Sequence, residues 1–110
     1  MYVCVCVGTS YLDLVLLHYS NALLDATAVA ELFTSLKVDG VVRHFGVSNH
    51  SPSKFNLLQK KLDRVSAGVS GGPIKLVTHE FEASVWNPSY LNYDSAVADH
   101  AYENELHPLG

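Results

Sequence analysis

Short apolar runs alternate with helix-period patterns along most of this chain, and that alternation constrains the fold more than any other feature of the sequence. "YLDLVLLH", residues 11–18, is almost continuously apolar up to its last residue, which predicts a strand buried on both faces. In the stretch that follows, Val29, Leu32, Phe33 and Leu36 recur at helical spacing. Asp25 is placed to cap the start of that helix and Gly40 to mark its exit. "VVRHFGVSN" predicts a second strand. Ser51 then reads as an N-cap and Pro52 as the first residue of a second helix, whose apolar face is Phe55, Leu58 and Leu62.

Residues 64–73, "RVSAGVSGGP", have no periodicity and are rich in Gly and Ser, so they predict a loop longer than a compact β/α connection needs. "IKLVTHEFEA" predicts a third strand. A weaker helical pattern runs through Val97, Ala101 and Leu106 before the closing His-Pro-Leu-Gly. Strands that alternate with helices in this way predict parallel β/α units.

In a parallel sheet, ligands gather at the carboxyl ends of the strands. Those ends are His18, then Ser48 with Asn49, then His79 with Glu80, all polar and all expected on one rim. Each has a bland explanation when taken singly. His18 could bond a neighbouring loop, Ser48 and Asn49 suit a strand-exit turn, and Glu80 could be a solvated carboxylate. Together they bring hydrogen-bonding groups from three successive strands to one edge, an arrangement suited to a flat amide ligand. Asp13, Glu31 and Glu82 read as structural or surface groups.

Composition limits the alternatives. The chain has 110 residues, one domain at most, and its 48% apolar and 16% charged content suits a packed core. A net charge of −4 with seven Lys and Arg, scattered except for Lys60 and Lys61, gives no stripe to follow a phosphate backbone, so nucleic acid is not an expected partner. Nothing is long and apolar enough to span a bilayer, and the start lacks a signal-peptide pattern, which predicts a cytoplasmic protein. Cys4 and Cys6 then read as reduced, buried thiols, and the sequon Asn49-His50-Ser51 as chance. No His or Cys spacing matches a metal site, and "SGGP" lacks the Lys and the position of a phosphate loop.

"GTSYLDLVLLH", a helix, "DGVVRHFGVSNHSP", a second helix and "VTHEFEAS" together resemble the middle of an aldo-keto reductase, in the branch where the second motif reads like "GKVRHFGVSNFSP". The resemblance covers residues 8 to 110 and leaves 1–7 as an atypical start. It implies a partial (β/α)₈ TIM barrel, with about three β/α units and parallel strands, forming a single incomplete domain over residues 1–110. It implies NADP(H)-dependent reduction of aldehydes and ketones, so the expected partners are NADPH and a small carbonyl substrate.

By resemblance, His18 is the catalytic histidine that orients the substrate carbonyl, and Ser48 and Asn49 hold the nicotinamide carboxamide. Glu80 stands where the family usually has a glutamine on the same carboxamide, the "NQ" pair having become His79-Glu80. The family's catalytic Tyr, Lys and Asp come from earlier strands with no counterpart before residue 8, so the chain is expected to be a fragment inactive on its own. A barrel of this kind takes about 250 residues, and three strands taken from it leave open edges. Two other readings are a non-catalytic module that self-associates through those edges and an unrelated small α/β protein with an open sheet.

Overall fold

The computed structural model describes residues 10–18, 25–80, 100 and 102–109. The expectations placed on residues 1–7, Cys4, Cys6, Glu82, Val97 and Ala101 lie outside them. The elements run β1 (Leu12–Leu17), α1 (Ala26–Val38), β2 (Val42–Ser48), α2 (Pro52–Val65), β3 (Leu76–Glu80) and β4 (His107–Leu109). All four strands are parallel and lie in sequence order, β1-β2-β3-β4. The fold is therefore strands alternating with helices, as predicted.

Both helices start where the sequence places their caps. The Asp25 carboxylate accepts from the amides of Thr27 at 2.9 Å and Ala28 at 3.3 Å, satisfying two donors of the first turn of α1. Ser51 Oγ accepts from the Lys54 amide at 3.4 Å, and Pro52 follows it at the head of α2. Gly40 leaves α1 at φ +73, a left-handed conformation that glycine adopts without steric cost.

The core fills the space between these helices and one face of the sheet. Phe33 of α1 stacks on Phe45 of β2, with ring centroids 4.5 Å apart, and neither ring reaches solvent. Phe55, Leu58 and Leu62 of α2 are buried, as their spacing requires, together with Leu17, Val42, Val47, Ile74, Leu76 and Leu106. Burying a ring of this size is worth roughly 1.5–3 kcal/mol.

Three expectations need correction. β1 is not buried on both faces: among the described residues it is an edge strand, and Tyr11 and Leu14 are 39% and 38% exposed. Leu14 shares its parity with Leu16 on the face turned away from the helices, which no described helix covers. A fourth strand was also missed, because the closing His-Pro-Leu-Gly reads as a tail and Pro cannot donate to a sheet. At the outer edge of the described sheet no donor is demanded on the free side, so Pro108 is tolerated there. Leu106, assigned to the third helix, follows a helical turn at residues 102–103 and is buried just before β4.

Candidate functional site

Alternation along β2 decides which residues reach the rim. Phe45 and Val47 face the helices, so Gly46 and Ser48 face away. A Cβ on Gly46 would point at Leu16 and Thr78 side-chain atoms, which places both residues on that same inner face. Ser48 lies two residues beyond Gly46 and Glu80 two beyond Thr78, and the two are register partners across β2 and β3. On β1, Leu16 pairs with Gly46 and Leu17 with Val47, so alternation continued one residue past the strand brings exposed His18 to the inner face.

This geometry depends on a bulge. Phe45 pairs with Leu76, but Val47 pairs with His79, so β3 carries one extra residue across the same interval. Without it, the parity that buries Leu76 against the helices would bury Glu80 there too. The bulge reverses the faces, turning Glu80 inward beside Ser48 and His79 towards α2. His79 is thus not a rim residue, as its neighbourhood to Glu80 suggested. It is fully buried, with its ring stacked on Phe55 at a centroid distance of 5.9 Å.

The turn after Ser48 is held at successive atoms. The Asn49 amide donates to the Glu80 carbonyl at 2.9 Å, extending the β2–β3 ladder past the last strand residue. Asn49 sits at φ 54, a left-handed conformation that Asn tolerates better than most side chains. Its side chain is exposed, and its Nδ2 donates weakly to Ser48 Oγ at 3.4 Å. Ser48 itself is buried and Glu80 half-buried. Register and alternation therefore bring Ser48 and Glu80 to one strand-end corner, with the Asn49 carboxamide beside the Ser48 hydroxyl and His18 next along the rim.

Behind this corner lies a histidine group that spacing rules do not reveal. The His50 amide donates to His79 Nε2 at 3.2 Å, and His50 Nδ1 hydrogen-bonds the Ser48 carbonyl at 2.9 Å. His100 meets Phe55 edge-on at 4.7 Å, and its Nε2 lies 3.1 Å from Asn56 Oδ1. Burial is the main reason that all three rings hold protons less readily than a free histidine. His79 is lowered to about 4, with the charges of His50 and His100 adding to the effect of burial. Only the strand-end position of His79 hinted at this group.

Among the described residues no three His, Cys, Asp or Glu side chains could hold a metal ion, and no helix is long and apolar enough to cross a membrane. A surface groove lined by Leu57, Lys60, Lys61, Asp63 and Arg64 lies along the second half of α2 and contains none of the rim residues. It reads as a solvated basic helix face.

Comparison with known proteins gives this corner a family. The family model described as "Aldo/keto reductase family" matches residues 4–95. Oxidoreductase YdhF of Escherichia coli (strain K12) is 43% identical over 77 residues, which cover 70% of this chain and 22% of that protein. The 6-dehydroglucose reductase of Agrobacterium fabrum (strain C58 / ATCC 33970) is 33% identical over 78 residues, covering 71% of this chain and 23% of that protein. The chain thus spans less than a quarter of the length of either relative. A crystal structure provisionally named as a 2,5-diketo-D-gluconic acid reductase B superposes with a TM-score of 0.64 at 22% identity, over 91% of this chain and 30% of that one. That last likeness concerns the fold, whereas the family model reaches through all three strand-end motifs: this chain belongs to the aldo/keto reductase family.

Proposed function

We propose that the chain forms the central β/α units of an NADP(H)-dependent reductase of aldehydes and ketones, acting in the cytoplasm, and that β2 and β3 hold the nicotinamide carboxamide. The observation that carries this reading is the register pairing of Ser48 with Glu80, with Asn49 tied to the Glu80 carbonyl at 2.9 Å. The donor and acceptor set fits a primary amide. Asn49 Nδ2 and the Ser48 hydroxyl can donate to the amide oxygen. The Glu80 carboxylate, which only accepts when ionised, can take the amide NH₂. A glutamine there would offer both roles, so Glu80 narrows the site to one orientation of the carboxamide.

Bound nicotinamide would supply the hydride, and the chain's own part is to present one face of the ring. In this reading His18, exposed and next along the same edge, donates an N–H to the substrate carbonyl and orients it. The family's proton-donating Tyr and its Lys and Asp partners are not supplied by the residues that match its motifs here. Turnover is therefore assigned to the whole reductase, and binding is the property to test on this chain.

Titration with NADPH, followed by fluorescence of bound nicotinamide, tests the reading. We expect saturable binding that Asn49→Ala weakens roughly tenfold, the loss of one hydrogen bond in a partly desolvated site. Equal affinity in parent and variant would remove Asn49 from the carboxamide.

One observation favours a second reading, a non-catalytic module that associates through its sheet edge. Among the described residues β1 is paired on one side only, and Leu14 and Tyr11 are each more than a third exposed. Sedimentation should then show a defined oligomer that Leu14→Lys dissociates. A monomer at every concentration would rule this out.

A further inference from the structure

We propose that His79 is a positioning residue whose ring nitrogen, by accepting the His50 amide proton, locks the turn that presents Asn49. This inference rests on the reading of Asn49 as a cofactor contact. The last two residues of β3 grip consecutive amides of that turn. The Glu80 carbonyl takes the Asn49 N–H at 2.9 Å, and His79 Nε2 takes the His50 N–H at 3.2 Å. The His50 ring then reaches back to the Ser48 carbonyl at 2.9 Å. Ser48, Asn49 and His50 are thereby fixed one after another, with left-handed Asn49 between two anchored neighbours.

An acceptor at Nε2 must carry a lone pair, so the locked state needs a neutral ring with its proton on Nδ1. The surroundings enforce neutrality. His79 is walled by Phe55 of α2 and has no solvent exposure. Among the described residues, the titratable groups that act on it are His50 at the exit of β2, which also feels Lys54 of α2, and His100, which feels Glu103. Glu80 is its neighbour in β3. Protonation would set an N–H against an N–H and break the lock. With the ring held at about 4, the lock is closed throughout the neutral range. It serves as a fixed support for Asn49, and acid is only a means of opening it.

Packing and hydrogen bonding can be separated. His79→Leu keeps an apolar side chain against Phe55 but loses the acceptor, whereas His79→Asn supplies an acceptor that does not titrate. In the parent chain, followed by NMR, the His50 amide resonance should shift on acidification with the same midpoint as the His79 ring. His79→Leu should speed His50 amide exchange and weaken NADPH binding, each by roughly tenfold. His79→Asn should recover most of both and abolish the shared midpoint.

A His50 amide that ignores the His79 titration overturns the lock, and this measurement needs no variant to fold. So does an Asn variant that loses as much affinity as the Leu variant. Absence of NADPH binding by the parent would strike the cofactor reading alone, since the amide measurements still decide whether the lock exists.

Discussion

Gly46 shows how tightly the inner face is built just below the rim. Its backbone conformation is ordinary, so space is what demands glycine. A Cβ there would lie 2.5 Å from Thr78 Cγ2, 2.7 Å from Leu16 Cδ2 and 2.8 Å from the Thr78 carbonyl oxygen. The two methyl groups can rotate away, but the carbonyl belongs to the neighbouring strand and moves only if β2 and β3 part. Gly46→Ala should therefore destabilise the chain by about 1–3 kcal/mol, the usual cost of overpacking, read as a lower urea midpoint with an unchanged slope. An unaltered midpoint would mean that β3 yields freely at its bulge. Ser48 is two residues further on, so the same strain would disturb its pairing with Glu80.

The elements divide by how local their determinants are. α1 and α2 were legible because Asp25, Ser51 and Pro52 act within one turn and Phe55, Leu58 and Leu62 lie on a single stripe. The strand ends were legible for the same reason, as polar residues closing apolar runs. The bulge was not. Nothing within β3 announces an extra residue, because the misfit exists only against β2, some thirty positions earlier, and it alone decides that Glu80 and not His79 faces inward.

The long loop after α2 likewise hides its supports. Buried Ser66 donates to the Leu62 carbonyl at 2.5 Å and accepts from the Ile74 amide at 2.9 Å. Gln59 accepts from the Leu76 amide at 2.9 Å and donates to the Ile74 carbonyl at 3.0 Å, so α2 satisfies backbone groups at the entry to β3. In the sequence both residues look like ordinary polar positions. The strand-end positions of Ser48, Asn49 and Glu80 were thus legible in the sequence, while what steadies them was not.

For the molecule as a whole, the three histidines behind the corner couple folding to acidity. Each ring binds protons less readily in the fold than the ordinary value of 6.5. Above pH 6.5 the rings are neutral whether the chain is folded or not, and their contribution is complete. Below it the unfolded chain takes up protons that the folded one refuses, so stability falls as pH falls. For His79 the loss continues until pH passes about 4 and then levels off, amounting to roughly 3 kcal/mol. Asp63, held ionised chiefly by Lys75, adds a smaller loss in the same direction at still lower pH. Urea denaturation at a series of pH values should therefore show a plateau above pH 6.5 and a steady decline towards pH 4. His79→Asn should flatten that decline by its largest single part. A stability curve level from pH 7 to 4 would mean that the histidines reach water in the folded chain, and that the wall of Phe55 behind the rim does not exclude it.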